Sequence, residues 1–309
     1  MPVQGPIHVD RPLTNISIRY RSEGLIADQL FPIVPVKNET DLFYIFDKAN
    51  SLRTPLTLRA NGGEANEDNF ALSTATYRLE EHALKEIVTQ RDRDNQDPGL
   101  DLDASTVEDL TDKILRQREV DAATLLFTNG NWAQESSLAA AGAWSANTSV
   151  SNPILNADSA SANISLQAGR KPNVCVVDER TWYALKEHTS LVQRIMYTSA
   201  DSVGPELVQR LFGVQKLLVA SSAQNTADEG LAATQAYIWT DSAWFGYVEM
   251  SPGLKKPSAL YCFKKSGGGV EVRRWQDEAR KGEWFEVGHM YDQQSPASDA
   301  GHLIVDTVQ

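Results

Sequence analysis

Pro172–Ile195, "PNVCVVDERTWYALKEHTSLVQRI", and Pro205–Ser222, "PELVQRLFGVQKLLVASS", decide the fold class. Val174–Val177 is an unbroken apolar run, the pattern of a strand covered on both faces. Asp178 follows as a helix cap, with Trp182, Leu185, Leu191 and Ile195 recurring behind it at helical spacing. Pro205 opens another helix that stops at Gly213, proline first and glycine last. "VQKLLVA", ending at Ala220, is the next strand. Strands and helices alternate, which predicts a compact α/β unit.

Upstream, 131–170 is rich in Ala, Ser and Asn and carries one helix from Pro153 onward. Before it, Ser105-Thr106-Val107-Glu108 has the form of a capping box. Val107, Leu110, Ile114, Ala122, Leu125 and Leu126 then recur at helical spacing as far as Asn129-Gly130. This is the longest regular element, and Lys113, Arg116, Arg118, Glu119 and Asp121 form its wet face. The acidic run 91–103, "RDRDNQDPGLDLD", fails as a calcium loop. Counted from Asp92, the sixth residue is Asp97 where glycine is needed, and the twelfth is Asp103 where glutamate is needed.

Residues 56–80, "LTLRANGGEANEDNFALSTATYRLE", read as a long two-stranded finger. Leu52, Leu56 and Leu58 alternate with polar neighbours, 61–69 is a polar tip, and Phe70–Leu79 is rich in Thr, Tyr and Leu. A lone two-stranded hairpin is marginal in water. Prolines at 2, 6, 12, 32 and 35 make the first 50 residues an extended arm with short patches such as Thr14–Tyr20 and Leu42–Phe46. The last third is strand-rich: "AYIWT", "AWFGYVEM", "ALYCF", "VEVRRW", "EWFEVGHMY" and "HLIVD". Gly267-Gly268-Gly269 leads into alternating strand residues rather than a helix, so it is a strand connection and no phosphate loop.

A net charge of −12 disfavours tight nucleic-acid binding by the whole surface. No apolar run is long enough for a membrane span, and the start of the chain has no secretory pattern. Cys175 and Cys262 sit inside apolar runs and read as buried free thiols, which fits synthesis in a cytoplasm. His8, His82, His188, His289 and His302 never stand at ligand spacing, and no nucleophile elbow or dinucleotide fingerprint occurs. The residues therefore name no catalytic, cofactor or metal site. They describe an arm, a finger and an amphipathic helix whose cover must come from symmetric neighbours.

Over nearly its whole length the chain resembles the major capsid proteins of tailed bacteriophages, with the Hong Kong 97-type α+β fold. The likeness rests on the order of parts, on the two stretches quoted first, on the helix from Ser105, on "GGVEVRRWQDEARKGEWFEVGHMYD" and on "GHLIVD". It implies an amino-terminal arm (1–50), an extended β-hairpin loop (51–90), a peripheral domain with a spine helix (91–150), an α/β axial domain (151–255) and returning peripheral strands (256–309). It implies a structural protein and no enzyme. Copies would assemble in the host cytoplasm into hexamers and pentamers of an icosahedral virion shell, the loop lying across the adjacent subunit. The implied partners are the chain itself, a separate scaffolding protein, a portal, packaged double-stranded DNA held without specific binding, and room for a decoration protein. Some relatives weld the shell from a lysine on the loop. No lysine occurs between Lys48 and Lys85, so a non-covalent lattice is expected.

The inter-subunit residues expected are Asn61, Gly62, Gly63 and Glu64 at the tip, with Arg53, Arg59 and Arg78 meeting Asp277, Glu278 or Glu283 of a neighbour. Leu110, Ile114, Leu125, Trp275, Trp284 and Phe285 are expected as the peripheral core. Three other readings stay open: an encapsulin-like bacterial compartment shell, an α+β enzyme with a scattered site, and a phage tail or neck component.

Overall fold

The computed structural model describes residues 24–309 apart from 47, 56, 70–71, 97–100, 139, 196–202, 254–255 and 267–268. Expectations for the arm through residue 23, including His8, and for Leu56, Phe70, Asp97, Gly267 and Gly268 lie outside the described residues.

The chain enters through a short helix α1 (Ala27–Leu30) and strand β1 (Ile33–Val36). Pro35 has no N–H to give, and β1 lies at a sheet edge where none is needed. Strand β2 (Thr40–Phe46), helix α2 (Lys48–Ser51) and strand β3 (Leu72–Arg78) follow. The finger is built differently from expectation. Leu72–Arg78 pairs antiparallel with Thr40–Phe46, and no described residue of 52–69 is in a strand. Pro55 interrupts the alternating stretch, whereas 40–46 supplies the Thr, Phe, Tyr and Ile that suit a pleated ladder.

Strand β4 (Glu80–Thr89) runs into helix α3 (Gln90–Asp94) through a capping box between Thr89 and Asp92, where a loop was expected. The long helix α4 (Leu102–Phe127) begins a turn before Ser105, because the Asp101 side chain accepts from Ala104 N at 3.0 Å. Its buried stripe steps by one turn: Leu110, Ile114, Arg118, Ala122, Leu126. Arg118 and Glu119 are therefore inside, not on the wet face. Strand β5 (Gln134–Ser137) comes next.

The alternation of strands and helices is there, but the one helix expected behind Asp178 is two, because His188 takes an extended backbone. Helix α5 (Pro153–Ala168) is capped by Asn152 and ends at Gly169 with φ +66°. Strand β6 (Val174–Asp178) leads into α6 (Glu179–Glu187), whose first amides are held by Asp178. Helix α7 (Thr189–Ile195) follows a break at His188, and α8 (Pro205–Phe212) ends at Gly213 with φ +68°. Strand β7 (Lys216–Ala220) lies parallel to β6. A small hairpin, β8 (Ala223–Asn225) with β9 (Gln235–Tyr237), precedes β10 (Ser242–Gly246).

Strands β11 (Tyr261–Lys265), β12 (Glu271–Asp277) and β13 (Gly282–Gln294) build a second sheet in the order β1-β11-β13-β12, with β4 on the other edge of β13. Period-two alternation along β13 turns Phe285, Val287, His289 and Tyr291 towards α4. Val88, Leu110, Ile114, Phe285 and Val287 form the core there. Trp275 and Trp284 are not in that core. They lie opposite each other in register on the outer face, rings 6.3 Å apart. Leu125 packs instead against the cluster around Trp239 and Trp244.

The last strand, β14 (Gly301–Val305), corrects a second expectation. It does not return with β12 and β13. It enters the α/β sheet, order β5-β14-β10-β6-β7, parallel to β5 and antiparallel to β10. The chain end thus lies among the central strands of one sheet while the preceding strand belongs to the other. Both cysteines are buried and free. No helix of the described residues is long and apolar enough to cross a membrane.

Candidate assembly surface

The β2–β3 ribbon is fixed at its root and bare beyond it. Tyr77 stacks on Phe263 of β11 at 4.8 Å, and Phe43 lies 5.3 Å from the same ring. Hydrogen bonds to the ribbon backbone complete the joint: Arg78 N donates to Asp292 Oδ2 at 2.9 Å, Leu79 N to Glu39 O at 2.8 Å, and the Gln294 side-chain Nε2 to Thr76 O at 3.1 Å. Past this root, Leu42, Tyr44 and Leu72 share one face of the ribbon and are 58%, 65% and 45% exposed. At its far end Lys48 Nζ reaches Asp299 Oδ2 and Gln167 Oε1, both at 2.9 Å, which sets where the loop leaves the body.

The tip is a tight turn. Gly63 N donates to Ala60 O at 3.0 Å and Gly62 takes φ +81°, the left-handed value such a turn needs at its third residue. Arg59 Nε donates to Gly63 O at 2.6 Å, tying one tip arginine to the turn. Asn61, Glu64 and Arg53 are exposed, as is Leu58.

The acidic group expected to receive the arginines sits at one end of the β12–β13 hairpin. Asp277 accepts from Trp284 Nε1 and Arg280 N, both at 3.1 Å, and these donors hold its carboxyl below the usual range. Glu283 accepts from Arg93 at 2.6 Å and also meets Arg274. Arg93 first, then Arg274, keeps its pKa low. Arg93 also reaches Asp103 at 2.9 Å, so the network ties β13 to the start of α4. Glu278 is exposed beside it. Among the described residues of one chain no ion pair joins Arg53, Arg59 or Arg78 to Asp277, Glu278 or Glu283.

Sequence reading missed the polar joint around α4. Glu119 is fully buried and accepts from Ile26 N and Ala27 N at 2.9 Å and from Trp239 Nε1 at 2.8 Å; burial nonetheless raises its pKa. It ties the entering chain to the long helix and the α/β unit at once. The available signal was the gap in the apolar stripe, where position 118 falls one turn from both Ile114 and Ala122. Two histidines contact serines, Ser151 Oγ with His188 Nε2 at 3.0 Å and Ser136 Oγ with His302 Nε2 at 2.8 Å. Both rings are buried; the other nitrogen of His188 faces Ser190, and Nδ1 of His302 meets no partner, so among the described residues neither pair has the orienting acid of a relay. Among the described residues no group of three or more His, Cys, Asp or Glu side chains could hold a metal.

No protein-family model matches the chain. Against curated proteins it is 28% identical over 244 residues to the major capsid protein of Pseudomonas phage JBD67, covering 78% of each chain. It is 26% identical over 303 residues to the major capsid protein of Burkholderia phage BcepMu, covering 96% of this chain and 95% of that one. The chain is a homologue of phage major capsid proteins. Among solved structures this capsid protein homologue matches a phage-related protein of Bordetella bronchiseptica RB50 with TM-score 0.72 and 23% identity over 93% and 94% of the two chains. It matches the capsid of a native GTA particle with TM-score 0.63 and 15% identity over 95% and 93%. These likenesses show the fold of phage capsid subunits, with which the expected Hong Kong 97 type is consistent. The role of the capsid protein homologue is structural, that of a shell-forming subunit.

Proposed function

We propose that the chain assembles with copies of itself into the hexamers and pentamers of an icosahedral phage shell, each β2–β3 ribbon and its loop lying on the adjacent copy. The carrying observation is the bare apolar face of Leu42, Tyr44 and Leu72 on a ribbon of only two strands. Such a ribbon gains its cover from association, at about 1.5–3 kcal/mol for each large side chain fully buried. Repeated around a closed lattice, these gains make assembly cooperative. In this reading Arg53, Arg59 and Arg78 face acids of a neighbour. Asp277 and Glu283 already serve their own chain, so the exposed Glu278 is the freest of the three to receive them.

The remaining assignments follow from the same reading: a virion location, a scaffolding protein and a portal as assembly partners, and double-stranded DNA as unbound contents. The net charge of −12 supports the last, since a shell that gripped phosphates would oppose release. Expression of the protein alone and with a scaffold partner, followed by size-exclusion chromatography and negative-stain microscopy, tests the assignment. Hexamers, pentamers or closed shells are expected. A small oligomer that never assembles overturns it, and shells filled with protein cargo instead of DNA during infection assign a bacterial compartment.

A further inference from the structure

Arg118 is 2% exposed, and among the described residues its guanidinium makes a single ion pair, Nη1 to Asp28 Oδ1 at 2.5 Å. The opposite edge, Nε with Nη2, is buried and meets no acceptor among the described residues. That edge is the fork that receives two oxygens of a carboxylate or phosphate side-on. Around it stand further basic groups. The ring of Tyr291 links them, with Arg118 Cζ 5.9 Å from its centroid and the His289 ring 4.9 Å away. Lys264, directly opposite Tyr291 in the β11–β13 register, is 8% exposed on the same side. His289 is 2% exposed, and neither ring nitrogen has a partner among the described residues.

Four elements thus converge: α1 with Asp28, α4 with Arg118, β11 with Lys264 and β13 with His289. His82 of β4 and Asp121 of α4 border the same ring, His82 stacked on Tyr291 at 4.7 Å and Asp121 accepting its hydroxyl at 2.6 Å. Asp121 is engaged by Tyr291 and Gln117, and Asp28 meets the far side of the guanidinium, so neither occupies the open fork. Two cationic side chains and a neutral imidazole face one paired carboxylate inside a chain of net charge −12. Buried cations are ordinarily balanced, and an unfilled guanidinium edge is costly. The Asp28 side chain is 62% exposed, which puts the cluster one residue beneath the surface.

We propose that the open Nε–Nη2 edge of Arg118, with His289 and Lys264, binds one oxyanion, a carboxylate or a phosphate. The anion takes both fork hydrogens, and His289 and Lys264 donate to its remaining oxygens. The fork is formed within one chain, and only the choice between the anion's two sources rests on the proposed assembly. Its source is either a free anion or the carboxylate of a second copy.

Thermal unfolding of the purified protein in inorganic phosphate, against chloride at equal ionic strength, tests it. A rise in Tm that grows with the logarithm of phosphate concentration above Kd is expected, about 3 °C at ten times Kd. Arg118→Met abolishes it, while the surface control Arg280→Met keeps it. Should Arg118→Met not fold, Lys264→Met and His289→Gln are each expected to weaken the phosphate response several-fold. A response retained in assembled particles identifies a free anion, and one confined to unassembled subunits identifies a neighbour's carboxylate. No phosphate-specific rise, or a rise unchanged in Lys264→Met and His289→Gln, overturns the proposal.

Discussion

Trp239 Nε1 donates to Glu119 Oε1 at 2.8 Å with both side chains fully buried. The same carboxylate receives the amides of Ile26 and Ala27, so one side chain satisfies three donors from two distant segments. Glu119→Ala strands all three, each at about 1–3 kcal/mol, and is expected to cost about 4 kcal/mol or more. Trp239→Phe removes one donor, keeps most of the ring, and should cost about 1–2 kcal/mol. Denaturant unfolding of subunits checks both. Equal losses in the two variants would show that the carboxylate does not organise the joint.

Gly246 and Gly301 face each other in the β10–β14 register, and indole rings occupy the room they leave. A Cβ on Gly301 would sit 2.3 Å from Trp132, and one on Gly246 would sit 2.1 Å from the Trp244 ring. Gly301→Ala and Gly246→Ala are each expected to destabilise by about 1–3 kcal/mol through overpacking, read as a fall in Tm. Gly62→Ala, where the space is open but φ is +81°, should leave the subunit Tm within about 1 °C and act on the tip turn alone.

Deleting 61–69 removes the tip and none of the core clusters, so circular dichroism and Tm of the subunit should be unchanged while closed shells disappear. Leu42→Ser with Tyr44→Ser should do the same from the ribbon face. Normal shells from either variant would sink the assignment of the ribbon as the inter-subunit element.

Burial, with Lys264 and Arg118 beside it, lowers the pKa of His289 from 6.5 to about 4. The unfolded chain therefore holds a proton on this ring between pH 6.5 and 4 that the folded chain refuses. Stability from this group is full above pH 6.5 and falls as pH drops through that window, by about 3 kcal/mol at the limit. His188 and His302, both lowered by burial, add slope of the same sign. His289→Gln should flatten the curve of unfolding free energy between pH 6.5 and 4 relative to the parent; a parallel curve would show that the ring already charges in the fold.

The α/β unit was legible because its signals are local. Asp178 caps the helix that follows it, Pro205 opens α8 and Gly213 closes it, each acting within a few residues of its own backbone. The finger was legible as a polar excursion but not as a pairing. Leu52, Leu56 and Leu58 alternate as a strand does, yet Leu72–Arg78 chose Thr40–Phe46. Of the expected peripheral core, Leu110, Ile114 and Phe285 are there, while Trp275 and Trp284 alternate to the outer face.

By itself the sequence determined the cap at Asp178, the start at Pro205 and the stop at Gly213 in the α/β unit, the long amphipathic helix, the exposed polar tip with a turn at Gly62 or Gly63, and the buried thiols. These depend on side chains meeting backbone or solvent a few residues away. The tertiary structure alone decided that "GHLIVD" enters the α/β sheet between β5 and β10, that β2 partners β3, and that Arg118 and Glu119 lie inside. A fully apolar strand fits any sheet interior, and an ionised side chain is buried only where distant groups converge on it. Both choices are made by contacts between segments that are far apart along the chain.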